Sequence, residues 1–106
     1  EAMRAAGIRV AFGTDSRASN PDLSVLEEVR HATNSYAGVS PGDALRMATL
    51  DAAEALRLAG DVGSLTVHKR ADLVAILINA AHADPYESVL EPTSRPPRVW
   101  LGGQRI

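Results

Sequence analysis

The feature that most constrains this chain is a short apolar run near its N-terminus. Residues 8–12 read Ile-Arg-Val-Ala-Phe, and only Arg9 interrupts their apolar character. Such runs are typical of strands that are covered on both faces, as in parallel sheets. Gly7 suits the left-handed residue that ends a helix, so residues 1–6 are predicted to be the last turns of one. A domain rarely begins in this way, and the chain is expected to be cut from something longer.

Two helix signals follow this predicted strand. The Asn20-Pro21 pair predicts a helix over residues 22–34, with Asn as the N-cap and Pro in the first helical position. Ser40 is followed three residues later by Asp43, which is a capping-box arrangement. It predicts a second helix over residues 41–58.

After Gly60 the pattern changes from helical to β. Residues 64–67 and the more apolar residues 72–78 are predicted to be strands. Gly102-Gly103 lies between residues 99–101 and 104–106, which is typical of a two-residue hairpin. The order therefore predicts part of a parallel α/β architecture followed by a separate β-rich unit.

The composition excludes several classes of function. The chain has 106 residues, which allow about one domain. A net charge of -2 and an aromatic fraction of 4% argue against a nucleic-acid partner. No apolar run approaches the roughly 18 residues of a membrane span, so no membrane partner is expected. The absence of cysteine excludes disulfides, thiolate metal sites and a cysteine nucleophile, and it fits a cytoplasmic protein.

Asp15 is the candidate site residue. It lies shortly after the apolar run, behind Gly13, and α/β barrels place their active-site residues where strands end. A carboxylate in this position can bind a metal ion or act as a general base. The structural alternative is a plain turn over Gly13–Ser16 with an Asx cap, and spacing alone does not decide between the two.

The other reactive side chains are weaker candidates. His31, His68 and His82 show none of the short spacings that bring two imidazoles to one metal, so each is expected to be a surface or loop residue. Ser16 lacks the G-x-S-x-G elbow of a nucleophile. The chain contains no P-loop and no G-x-G-x-x-G pattern.

Several motifs, in their order and spacing, resemble the C-terminal part of the amidohydrolase superfamily of metal-dependent hydrolases. The resemblance is closest to its deaminase and chlorohydrolase branch, which acts on aminated or chlorinated rings and nucleosides. Together the motifs cover nearly the whole chain. They are Gly13-Thr14-Asp15-Ser16, Ala18-Ser19-Asn20, residues 26–30, 44–49, 52–56, 63–65 and 69–74, and the hairpin over 99–106.

The resemblance implies the C-terminal fragment of a (β/α)8 TIM-like barrel and part of a small β-sandwich. Residues 1–60 would be the end of the barrel, with 8–12 as strand eight and the following helices. Residues 61–106 would be the C-terminal part of a composite β-sandwich. His68 departs from the family, which usually has Gly there. Because His tolerates a positive φ less well than Gly, the geometry of this turn is in question.

The resemblance also implies a reaction. The family hydrolyses carbon–nitrogen bonds other than peptide bonds, and this branch deaminates cyclic amidines or nucleoside-type substrates. Zinc or another divalent metal lowers the pKa of a bound water. Asp15 would contact the metal or that water, accept its proton and pass it to the departing nitrogen.

The implied partners are a small-molecule substrate and the rest of the barrel. The histidine metal ligands of the family would come from earlier strands outside this chain, so the chain alone is expected to be inactive. The sequence leaves the substrate, the metal and the oligomeric state open, including a homo-oligomer.

Two other functions compete with this one. The chain could be a non-catalytic interaction module or an inactive remnant, in which the helices over 22–34 and 41–58 offer their apolar faces to a partner. It could also bind phosphate through Gly13–Ser16. The second alternative is weaker, because the next helix signal comes only at Asn20-Pro21.

Overall fold

The computed structural model describes residues 2–106, so residue 1 of the predicted helix 1–6 lies outside the described residues. No helix among them is long and apolar enough to cross a membrane. The helices are α1 (Ala2–Ala5), α2 (Val25–Ser35), α3 (Pro41–Ala48), α4 (Leu50–Ala55) and α5 (Pro85–Leu90). The strands are β1 (Leu73–Ala75), β2 (Arg98–Leu101) and β3 (Gln104–Arg105).

Helix α2 begins later than the sequence predicts. Its N-cap is Ser24, whose hydroxyl accepts the N–H of Glu27 at 3.3 Å. The predicted start at Asn20-Pro21 is wrong, because Leu23 adopts a φ of 53° that no right-handed helix can contain. Asn20 uses its side-chain oxygen in a turn that precedes the helix instead.

The predicted helix over 41–58 exists as two helices. Ser40 caps α3 as predicted, since its hydroxyl accepts the N–H of Asp43 at 3.1 Å. The chain then bends at Thr49, where φ is -122° and ψ is -90°. The Thr49 hydroxyl donates to the carbonyl of Leu45 at 2.7 Å, a contact to the preceding turn that often accompanies helix bends. Helix α4 ends well before Gly60, as Arg57 takes a φ of 61°.

The buried core lies among three helices. Val29 of α2, Ala44 of α3 and Leu90 of α5 form its centre. Helix α5 was not predicted, although Asp84 and Pro85 repeat the cap-then-proline pattern of α3. The partly buried residues around this core are Phe12, Leu26, Val39, Leu45 and Ala48.

The strands form an antiparallel sheet in the order β1-β2-β3. Val74 lies opposite Val99, and the predicted hairpin is confirmed, with both Gly102 and Gly103 at positive φ. Strand β1 occupies only three residues of the predicted 72–78. The prediction of a strand over 64–67 is wrong for the described chain, since that segment has a bend at residue 64, a turn at residue 67 and no strand pairing.

Residues 8–12 form no strand within residues 2–106. A strand is defined by hydrogen bonds to a neighbouring strand, and no described strand pairs with this segment. Phe12 nevertheless packs against the helical core. The assignment of 8–12 to a barrel strand therefore stays a prediction.

Candidate active site

Asp15 has an uncommon backbone conformation. Its φ is 58°, in the left-handed region that few residues other than glycine adopt. Aspartate enters this region more readily than most residues, but the conformation persists only where the surroundings determine it. The side chain is exposed. The chain thus presents a carboxylate to solvent directly after the segment that ends at Phe12.

One hydroxyl group holds the Asp15 carboxylate. Ser19 Oγ donates to Asp15 Oδ2 at 2.9 Å. The backbone N–H groups of Ser19 and Asn20 both donate to the carbonyl of Ser16, at 3.1 and 2.9 Å, and this tight turn brings the hydroxyl back to the carboxylate. Within residues 2–106, no backbone N–H donates to the Asp15 side chain. This geometry disfavours the alternative in which Asp15 is an Asx cap.

Asn20 fastens this loop to helix α2. Its side chain is buried, with 7% of the residue exposed. Its Oδ1 accepts the N–H groups of Asp22 and Leu23 at 3.3 and 2.7 Å, and its Nδ2 donates to the carboxylate of Glu28. Sequence reasoning assigned Asn20 only a capping role. The Ala18-Ser19-Asn20 motif was the signal that could have indicated its place in the site.

Two ion pairs connect the segment before Asp15 to the helices that follow it. Nη2 of Arg4 lies 3.0 Å from Oδ1 of Asp43 in α3. Nη2 of Arg9 lies 3.1 Å from Oε2 of Glu54 in α4. A hydrogen bond from Ser40 lowers the pKa of Asp43, and the guanidinium of Arg4 lowers it further. These side chains are partly exposed, so each pair is expected to add little to the stability of the fold.

The histidines lie in separate places. His31 Nδ1 is 3.5 Å from the Ser35 hydroxyl, and His82 Nε2 is 3.6 Å from a carboxylate oxygen of Glu91. His68 adopts a φ of 74°, so the turn keeps the left-handed conformation that a glycine would favour. No three His, Cys, Asp or Glu residues in the part of the chain described here are grouped to hold a metal ion.

The donor set at Asp15 fits one ligand of a metal site and no more. A zinc site commonly has four ligands, and a catalytic site has three from protein and one from water or substrate. Asp15 can supply a single exposed carboxylate, with Oδ2 already hydrogen-bonded to Ser19. The other ligands of such a site would have to come from outside the described residues.

Comparison with known proteins places the chain in a family. The sequence matches the amidohydrolase family over residues 1–105, and the chain belongs to that family. This confirms the resemblance seen in the sequence motifs. The helices and the sheet described above are accordingly one part of an amidohydrolase fold.

Three similar proteins illustrate the match. A 5-methylthioadenosine/S-adenosylhomocysteine deaminase of Desulforudis audaxviator (strain MP104C) is 43% identical over 91 residues, which are 78% of this chain and 21% of that protein. The crystal structure of an adenosine deaminase from Xanthomonas campestris with bound zinc has a TM-score of 0.80 at 30% identity, over 98% of this chain and 27% of that one. The crystal structure of a triazine hydrolase variant has a TM-score of 0.80 at 28% identity, over 96% of this chain and 25% of that one.

The chain therefore spans about a fifth of the length of the curated relatives it matches. The similar solved structures also extend far beyond it, since it covers about a quarter of each. The agreement along nearly all of this chain supports a partial amidohydrolase fold.

Proposed function

We propose that this chain is the C-terminal portion of a metal-dependent amidohydrolase that hydrolyses carbon–nitrogen bonds other than peptide bonds. The proposed reaction is deamination of a cyclic amidine or nucleoside-type substrate. The observation that carries the proposal is an exposed carboxylate, Asp15, held by a hydroxyl in a chain whose relatives are named as deaminases.

We further propose that residues 8–12 are the last strand of a (β/α)8 barrel and that residues 61–106 complete a β-sandwich with other parts of the protein. Exposed apolar side chains support this assignment. Leu65 and Val67 are 85% and 80% exposed, and Val74 of β1 is 56% exposed. Large apolar side chains exposed to this degree are expected where another part of a protein covers them.

The proposed role of Asp15 is proton transfer beside the metal. When bound, a divalent cation lowers the pKa of a water molecule and makes it nucleophilic near neutral pH. The Asp15 carboxylate accepts a proton from the attacking water as the new carbon–oxygen bond forms. It then gives that proton to the nitrogen as the carbon–nitrogen bond breaks, and ammonia leaves. The Ser19 hydroxyl occupies Oδ2, which leaves Oδ1 for this transfer.

The test is Asp15→Asn in the complete protein. The amide keeps the size of the side chain but cannot accept and return the proton, so turnover is expected to fall by about 100-fold or more. Ammonia release from 5-methylthioadenosine, S-adenosylhomocysteine and adenosine measures it, with bound metal determined alongside.

Asp61→Asn is the matched control, because Asp61 is an exposed aspartate elsewhere on the chain. It should leave turnover unchanged. Near-normal turnover in Asp15→Asn would overturn the role of Asp15. A metal-loaded complete protein that releases no ammonia from any of these substrates would contradict the nucleoside deaminase assignment.

A further inference from the structure

We infer that Ser19 is a positioning residue for Asp15, and that the partly buried contact between Asn20 and Glu28 keeps Ser19 in place. The inference rests on the proposed function. It adds Ser19 as a residue that acts on the general base, Asp15, rather than on the substrate. It also links Asp15 to helix α2.

The Ser19 hydroxyl has two acceptors within reach. Its oxygen lies 2.9 Å from Asp15 Oδ2 and 3.2 Å from the carbonyl of Ser16. A hydroxyl has one hydrogen to donate. The carboxylate is closer and charged, and hydrogen bonds to charged groups are roughly twice as strong as neutral ones. The hydroxyl therefore donates to Asp15 and fixes the orientation of its carboxylate.

Ser19 cannot easily turn away from this position. Its own N–H and that of Asn20 are bonded to the carbonyl of Ser16. Asn20 is buried and bonded to three groups, two of them backbone amides and the third the Glu28 carboxylate of α2. A continuous set of hydrogen bonds thus runs from α2 through the loop to Asp15.

This arrangement also explains how Asp15 keeps its left-handed backbone. A residue at a φ of 58° retains that conformation only if its neighbours oppose relaxation. The turn is closed by two kinds of hydrogen bond. The Ser19 hydroxyl donates to the side chain of Asp15, four residues earlier. The backbone N–H groups of Ser19 and Asn20 donate to the backbone carbonyl of Ser16. Removal of the hydroxyl frees the carboxylate without removing the turn.

The experiment compares Ser19→Ala with Ser19→Thr in the complete protein. Loss of the hydroxyl should lower kcat by roughly 10- to 100-fold, the usual effect of removing a group that orients a functional side chain. KM, metal content and melting temperature should stay close to those of the parent protein. Ser19→Thr retains the hydroxyl and should keep most of the turnover. Ser94→Ala, at an exposed serine elsewhere, is the control.

A double-mutant cycle with Asp15→Asn separates positioning from general damage. If Ser19 acts through Asp15, Ser19→Ala should have no further effect on the residual turnover of Asp15→Asn. Normal kcat in Ser19→Ala, or an additive loss in the double variant, would overturn the inference while the proposed function stands. Near-normal turnover in Asp15→Asn would overturn the inference together with the proposed role of Asp15, and a metal-loaded complete protein that releases no ammonia would overturn the proposed deamination itself. Should Ser19→Ala fold poorly, a low kcat in well-folded Ser19→Thr would also contradict the inference.

Discussion

The three-helix cluster and the three-stranded sheet of this chain differ in how much of their own surface they cover. The cluster of α2, α3 and α5 contains the buried centre, with Val29 and Ala44 at 1% and 0% exposure. In the sheet, every residue of β1 and β3 is exposed, and β2 is only partly covered. The cluster buries apolar side chains of its own, whereas the sheet would need a further layer to bury its apolar side chains.

The boundary between these two regions does not follow the order of the chain. Helix α5 lies between β1 and β2 in sequence, but it packs on α2 and α3. The buried Arg30 of α2 explains part of this arrangement. Its Nε donates to the carbonyl of Leu90 at 2.9 Å, and a second guanidinium nitrogen donates to the carbonyl of Glu91 at 3.2 Å. The end of α5 is thereby bonded to the helical cluster.

The largest predicted effect concerns Gly63, at the start of the β-rich part. Its φ is 90°, and a Cβ there would lie 2.6 Å from Ala53 Cβ and 3.1 Å from Leu50 Cα. Gly63→Ala should therefore lower the free energy of unfolding by about 3 kcal/mol or more, from the left-handed backbone and the overlap together. Urea unfolding of residues 1–106 measures this value.

Gly60→Ala is the matched control for that variant. An added Cβ at Gly60 meets no heavy atom within 4 Å. Its effect on the free energy of unfolding should stay within about 1 kcal/mol in either direction, since alanine also restricts the unfolded chain. Equal losses for the two variants would show that close packing at Gly63 does not join the start of the β-rich part to helix α4.

The next effect compares a valine of the helical cluster with a valine in the segment that precedes the sheet. Val29→Ala removes two carbons from the fully buried centre and should cost about 2 kcal/mol. Val67→Ala, at a side chain 80% exposed, should change the stability of residues 1–106 by less than about 0.5 kcal/mol.

The same pair of valines in the complete protein sharpens the comparison. If another part of the protein covers the β-rich region, Val67→Ala should cost more there than in residues 1–106, while the cost of Val29→Ala stays similar. If Val67→Ala lowers the free energy of unfolding by the same small amount in residues 1–106 and in the complete protein, no further layer covers this position.

The sequence predicted local signals better than it predicted pairing. Ser40 as a cap and Gly102-Gly103 as a hairpin depend on a few neighbouring residues, and both are confirmed. The strands over 64–67 and 8–12 depend on partners distant in sequence, and neither forms in the described chain. Local patterns thus determine caps and turns, whereas strands also require a neighbour.

The candidate site shows the same difference between features that follow from local sequence and features that depend on the folded backbone. Asp15 could be selected from its place after an apolar run, but its contact with Ser19 could not, because it depends on the φ of 58° at Asp15 and on the turn over Ser16. Asn20 was misassigned for a related reason. An Asn before a Pro favours both a helix cap and a turn, and only the left-handed Leu23 separates the two outcomes.

The smallest predicted effect lies at the N-terminus of α3, where charge rather than packing links the start of the chain to the helical cluster. The Ser40 hydrogen bond and then Arg4 lower the pKa of Asp43, so the ionised carboxylate is favoured in the folded state. A lowered pKa adds stability above the ordinary pKa of aspartate, and this stability is lost as the pH falls through the lowered value.

Asp43→Asn should therefore cost less than about 1 kcal/mol at pH 7, because the pair is exposed. The difference should persist to about pH 5 and close below about pH 4. Urea unfolding across this range measures it, and a difference that stays constant as the pH falls below about 4 would show that packing, not charge, holds Asp43 to Arg4.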